Sequence, residues 1–247
     1  MLRSITIIFS IIFHGALFSQ STGGTVHYHI QAHPGQESFA EFLTRTQGSD
    51  PNIEKSLKMA TAMEETERVL RFTLRFTTKG AIFRADEGLV SEEAEVQHLL
   101  TKSTLGLNGS YVQVEDYVIN QVENNGRVLN LRETPAIQWQ IVGDTSRVLL
   151  NRTCYLARGQ YATLDRQGHP KSQPVAVWFD PTLPFPYGPK QFRDLPGLVL
   201  AVSLNGAKEL VATELKVGPT EPLDLSLLRQ GKTVERDDYL SSLSNRF

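Results

Sequence analysis

From residue 25 onward, apolar and polar residues alternate along much of the chain, the pattern of strands with one dry face and one wetter face. The pattern is clearest where Leu70, Phe72, Leu74 and Phe76 bracket Arg71, Thr73 and Arg75. A slip of one residue would send all four apolar side chains to the wrong face, so the register is well specified. The same period turns Val26, Tyr28 and Ile30 inward on a first strand, and Ile137, Trp139 and Ile141 inward on a later one with Gln138 and Gln140 pointing away. Alternation returns at Val211, Thr213, Leu215 and Val217. Two segments, 175–179 and 198–202, are apolar at every position, which predicts central strands covered on both sides. Asn124-Asn125-Gly126 lies between two such runs, and Asn and Gly accept positive φ, so a hairpin is predicted there.

Helical signals are few. Asp50 and Pro51 form an N-cap and first-position pair, after which Ile53, Leu57 and Ala60 recur at helical spacing to about Glu65. A second short helix is predicted from Ser91, where Glu92, Glu93 and Glu95 suit the positive end of the dipole ahead of Val96, Leu99 and Leu100. After Gly218 the chain becomes polar and weakly helical, so residues 219–247 read as a C-terminal appendage to a β-rich domain over 20–218. The fold class expected is mainly β: a curved, mainly antiparallel sheet forming a half-open barrel or bowl, with one or two short helices over part of its concavity.

The first residues change the picture of where this domain works. Arg3 is a short positive region, residues 5–13 are apolar apart from Thr6 and Ser10, and Ser19 is a small residue before a plausible cut. Residues 1–19 therefore read as a signal peptide, too short for the ~20 apolar residues of a spanning helix. Cleavage leaves 247 − 19 = 228 residues with 24 Lys plus Arg against 27 Asp plus Glu, a formal −3, and no transmembrane segment. That charge lacks the field that condenses a protein on phosphates, so nucleic acid is not an expected partner. Cys154 is the single thiol, so no internal disulfide forms.

Candidate chemistry is sparse. His27 and His29 share the polar face of the first strand and His33 follows just beyond, so the three could offer imidazoles to one metal ion or remain exposed without a ligand. Cys154 lies in a strand pattern without a helix N-terminus to activate it and reads as a small buried hydrophobe. No G-x-S-x-G elbow, phosphate loop or H-E-x-x-H helix is present, and neighbouring acids such as Glu115-Asp116 face opposite ways on a strand. Asn108-Gly109-Ser110 and Asn151-Arg152-Thr153 match the N-glycosylation acceptor pattern, which carries meaning only in a cell with an endoplasmic reticulum. Leu183-Pro184-Phe185-Pro186-Tyr187-Gly188-Pro189 must be a rigid loop, because three prolines fix φ and remove three donors. It either covers one end of the sheet with Phe185, Tyr187 and Phe192, or uses those rings to line a cavity mouth. The Pro196-Gly197 pair that follows is a turn in which Gly allows close backbone approach before the apolar strand.

Asp194-Leu195-Pro196-Gly197-Leu198-Val199 resembles the signature of the GLPGLI family of exported proteins from Gram-negative bacteria. Trp139, Cys154 with Ala157, Ala176-Val177-Trp178-Phe179, Leu183-Pro184 and Gly188-Pro189 fall in the order and approximate spacing of that family, so the resemblance is carried by residues 137–204. Asp194 stands where the family has Gly, Val199 where it has Ile, and Leu156 where a Lys often precedes the Ala, which marks a divergent member. An Asp there means either that positive φ is not needed or that it is tolerated at a cost. The resemblance implies an exported β-rich domain, periplasmic, outer-membrane associated or secreted, with Leu195, Pro196, Gly197 and Leu198 as a structural motif and no established catalysis. More distantly, such domains are similar to the bowl-shaped β-domain of one type of bacterial peptide N-glycosidase.

The expectation is thus a non-enzymatic, cofactor-free envelope protein that binds an apolar small molecule, a lipid or a segment of an envelope protein, with Trp139, Trp178, Phe185 and Tyr187 as ligand-binding candidates. The alternative is a metal-handling protein using His27, His29 and His33, or an enzyme-accessory domain.

Overall fold

A computed structural model of the chain describes residues 21–33, 37–45, 51–88, 91–114, 116–124, 126–133, 137–164, 169–204 and 208–244. Residues 1–19, expected from the sequence to be a signal peptide, Asp50 and Asn125 lie outside them. Among the described residues, twelve strands form one open, curved sheet. In chain order these are β1 Ser21–Ala32, β2 Arg71–Thr77, β3 Gly80–Ala85, β4 Ser110–Val114, β5 Tyr117–Asn124, β6 Arg127–Glu133, β7 Gln140–Leu149, β8 Arg152–Leu164, β9 Pro170–Asp180, β10 Leu198–Leu204, β11 Lys208–Thr220 and β12 Lys232–Glu235. Across the sheet they run β12-β6-β5-β4-β3-β2-β1-β11-β10-β9-β8-β7. Every neighbouring pair is antiparallel except β12, which runs parallel to β6.

The alternation of the sequence becomes two faces. Tyr28 pairs across strands with Phe72 and with Ala212, and Val26 pairs with Leu74, so their side chains share one face, here the core face. Val26, Tyr28, Phe72, Leu74 and Phe76 are fully buried there, while His27, Thr73 and Arg75 on the outer face are half-buried. Both all-apolar segments are central: β9 and β10 lie between β8 and β11. The hairpin at Asn124 forms as expected, with Asn124 paired to Arg127 and Gly126 at φ +72°.

The proline-rich segment 181–197 crosses the core face. Phe185 packs on Phe76 of β2 with ring centroids 4.6 Å apart, and Phe192 packs edge-on against Tyr161 of β8 at 5.7 Å. Gln113 of β4 donates through Nε2 to the carbonyls of Gly188 and Lys190, and the buried Tyr28 hydroxyl donates to the Val199 carbonyl at 2.6 Å. The prolines suit this position because the segment lies over a sheet instead of joining one.

Among the described residues, four α-helices accompany the sheet: α1 Phe39–Arg45, α2 Pro51–Val69, α3 Glu92–Thr104 and α4 Arg236–Ser244. α2 packs against β1 and continues four residues beyond the expected Glu65, and α1 carries too short a pattern to be read in advance. Ser91 caps α3, its side chain accepting from the Ala94 amide.

Two expectations differ from the structure. Ile137 and Trp139 turn inward against the core as expected but precede β7, which starts at Gln140, and Ile141 is 47 % exposed. β7 is the last strand of the sheet, and the register with β8 is broken between Val142 and Ser146, so no neighbour exists to bury its apolar positions. The segment after Gly218 does not hang free. β11 runs on to Thr220, β12 joins the sheet, and Asn130 and Gln121 donate to the carbonyls of Leu228 and Leu227 in the turn at Ser226–Arg229.

Candidate functional site

On the outer face, Ser203 of β10, Ala176 of β9, Arg158 of β8 and Gln140 of β7 stand on adjacent strands, and the pairings of Ala176 with Arg158 and of Arg158 with Gln140 place them in one row. With Gln138, Gln160 and Pro174 they line a groove of about 730 Å³. The strands supply these side chains because alternate positions of β8 and β9 must be polar where the sheet meets water. Ser172 donates to Gln160 Oε1 at 2.8 Å, which fixes that amide and leaves its NH₂ group facing outward as a donor. Arg158 forms no ion pair among the described residues, so the groove holds one uncompensated positive charge.

The row continues to Glu209 of β11, the cross-strand partner of Ser203. Arg147 of β7 reaches it with a single terminal nitrogen, 3.0 and 2.9 Å from its two carboxylate oxygens. On the way the Arg147 guanidinium passes over the ring of Trp178, 5.9 Å from its centroid. The Glu209 side chain is 2 % exposed, so this charge is removed from water and depends on its partner. Trp178, on the same face two residues from Ala176, therefore stands beside the groove beneath an ion pair.

The groove can hold a polar ligand and orient it. Three amides offer donors and acceptors, Arg158 offers a planar cation and Ser203 a hydroxyl, while the neighbouring Glu209 carboxylate is held by Arg147.

The other sequence candidates lie elsewhere. Phe185 and Tyr187 are buried in the core, where the loop covers the sheet. Trp139 is half-buried against Gly159, where any Cβ would stand 2.6 Å from Ile137 and 3.0 Å from the indole, and its Nε1 donates to the Arg193 carbonyl at 2.8 Å. It pins the loop to β8. Leu195 and Leu198 are core residues, and at Gly197 a Cβ would lie 2.2 Å from the Asp180 carbonyl oxygen, the close approach expected of that glycine. Pro196 is exposed. Asp194 adopts φ +68°, so the position does need the left-handed region and the Asp tolerates it. Cys154 is buried, and burial pushes its thiol up to about 11, so it is not a thiolate at neutral pH.

His27 and His29 do share the outer face of β1. The Thr73 hydroxyl has one proton, which it donates to Asp86, so at 3.0 Å it can only accept from His27 Nδ1. That contact engages Nδ1 of His27. Burial, with the nearby Arg71 charge, lowers the His29 pKa and favours its neutral form. Among the described residues, no three His, Cys, Asp or Glu side chains converge as metal ligands.

Sequence reading named Trp178, Gln138 and Gln140 but did not assemble the groove. Arg158, Gln160 and Ser203 come from strands whose mutual register is invisible in a one-dimensional pattern. The available signal was the polar face of β8, where Arg158 and Gln160 alternate with Gly159 and Tyr161.

No family model matches the chain, and no curated protein matches it. Solved structures do. The fold is similar to PNGF-II in a C2 crystal form, with a TM-score of 0.49 and 11 % identity over 90 % of this chain and 33 % of that one. It is likewise similar to PNGF-II in a P21 form, with a TM-score of 0.48 and 12 % identity over 89 % and 33 %. The chain thus spans about a third of the length of those proteins.

Proposed function

We propose that this is an exported, non-catalytic binding protein of the cell envelope, of GLPGLI type, that holds a hydroxylated, negatively charged ligand in the groove on the outer face of β7–β10. The observation that carries the reading is the groove lining: Gln138, Gln140 and Gln160 beside an Arg158 without an ionic partner among the described residues. Side-chain amides pair with hydroxyl groups as both donor and acceptor, and a free guanidinium adds the preference for a carboxylate or sulfate. A polar occupant also accords with the position of Phe185 and Tyr187, whose rings are spent on packing. Export is supported by Arg3, the apolar run behind it and Ser19.

Titration calorimetry with acidic and neutral oligosaccharides of matched length tests this. The acidic series is expected to bind, with affinity falling at least about tenfold in Arg158→Ala, the loss of one charge-assisted contact. Absence of binding by every acidic member, or unchanged affinity in Arg158→Ala, refutes the reading.

A further inference from the structure

The apolar stripe of α3 faces the wrong way for a helix that serves only its own domain. Val96, Leu99 and Leu100 recur at helical spacing, yet they are 57, 58 and 45 % exposed. The opposite side of the helix turns inward. Thr101 is fully buried and Gln97 half-buried, and neither Thr101 Oγ1 nor Gln97 Nε2, both buried atoms, has a hydrogen-bond partner among the described residues. Packing within the domain alone would favour the reverse, with the leucines inward and the amide in water. α3 is not free to roll, because Ser91 caps its first turn, its last turn runs into the buried Leu105 and Leu107, and it packs against α2.

The charges beside the stripe say what fits it. At 3.6 residues per turn, Glu95 and Lys102 lie on one flank of the stripe, about two turns apart. Glu95 is exposed and Lys102 half-buried, and neither forms an ion pair among the described residues. When two copies of a helix pack antiparallel about a two-fold axis, like flanks meet with their ends exchanged. Glu95 of each copy then stands beside the partner's Lys102, with Leu99 of both near the axis. A parallel pair would instead set Glu95 against Glu95. A membrane is the poorer occupant, because α3 carries Glu92, Glu93 and Glu95 against Lys102 alone, the wrong sign for anionic headgroups.

We propose that α3 is a self-association surface, through which two copies of this chain pack antiparallel on Val96, Leu99 and Leu100 with Glu95 and Lys102 paired across the two-fold. Two helices of 13 residues, each about 20 Å long, bury on the order of 1,000 Å² together, at the small end of specific interfaces, so the dimer is a reversible one.

Sedimentation equilibrium of the full chain, from about 5 to about 500 μM, tests this. The weight-average mass is expected to climb from 27.6 kDa toward twice that value. Leu99→Glu, at an exposed position, should keep the wild-type melting temperature and remain monomeric throughout. Glu95→Lys should weaken association at least about tenfold by opposing the partner's Lys102, and adding Lys102→Glu should restore it, a recovery that an interface elsewhere on the molecule would not show. A wild type still monomeric at the highest concentration, a dimer indifferent to Leu99→Glu, or a double charge exchange that restores nothing would overturn the proposal. So would phosphatidylglycerol vesicles that bind the wild type but not Leu99→Glu, which would assign the face to a membrane.

Discussion

One methyl group at Gly197 should destabilise the whole molecule. A Cβ there would sit 2.2 Å from the carbonyl oxygen of Asp180, 2.7 Å from its carbon and 2.8 Å from Pro181 Cα, all backbone atoms. That backbone cannot retreat easily. The Asp180 side chain is held by Arg152 at 3.0 Å and by the Thr182 amide and hydroxyl at 2.8 and 2.7 Å, and Asp180 is paired with Leu198 in the sheet. Overpacking of a filled site costs typically about 1–3 kcal/mol, and a clash with fixed backbone belongs at the upper end. At roughly 2–4 °C per kcal/mol for a chain of this size, Gly197→Ala should melt about 6–12 °C below wild type. Gly218→Ala is the control: nothing lies within 4 Å of its Cβ, so it should be neutral or gain up to about 1 kcal/mol from a stiffer unfolded chain. Urea unfolding of both variants reads the difference directly. A Gly197→Ala stability within about 0.5 kcal/mol of wild type would refute the claim that this glycine is present for close approach.

Three further outcomes are expected. Asp194→Val should lose about 1–2 kcal/mol in urea unfolding because a β-branched residue resists φ +68°, whereas Asp194→Gly should be at least as stable as wild type; equal stabilities would show that the backbone relaxes. Arg147→Met should cost about 3 kcal/mol by stranding the buried Glu209 carboxylate with only Gln31 beside it, and adding Glu209→Gln should recover most of that loss, as a double-mutant cycle would show. Burial lowers the Lys190 ammonium to about 8 from 10.5, against the opposing pull of Glu133 and alongside the push of Arg236. Between those values the unfolded chain holds the proton that the folded chain has released, so this group makes stability rise with pH, by up to roughly 3 kcal/mol. Stability measured at pH 7.5 and pH 10 should therefore change differently in wild type and Lys190→Met, and identical changes would show that Lys190 does not set this slope.

The strands were legible because each has one face against apolar neighbours, and burial imprints that as alternation; Val26, Tyr28, Phe72 and Leu74 needed no partner to be identified as inward. The hairpin at Asn124 and the packing role of Gly197 were legible because local backbone geometry restricts which residues can stand there. Lys190 was not, since its meaning depends on Gln113, Glu133 and Arg236, which arrive from three separate elements. The groove stayed hidden for a related reason: Gln140, Arg158, Ala176 and Ser203 become neighbours only through the registers of β7 to β10. Ile141 misled because alternation says which face a residue takes but not whether another strand lies beyond it.

The position of β1 has a consequence for how the molecule is assembled. It lies in mid-sheet, paired from Ser21 with Thr220 to Ala32 with Lys208, almost the full span of the described chain. On one side β2 to β6, and on the other β7 to β11, form from sequential hairpins and similar local pairings. The two blocks can therefore mature early and separately, but the joint between them closes a loop of nearly two hundred residues and must come late, as contacts of high sequence separation do. Until it closes, β1 and β11 each present a long row of unpaired amides and carbonyls, the most hazardous exposed edges that the described chain has during synthesis.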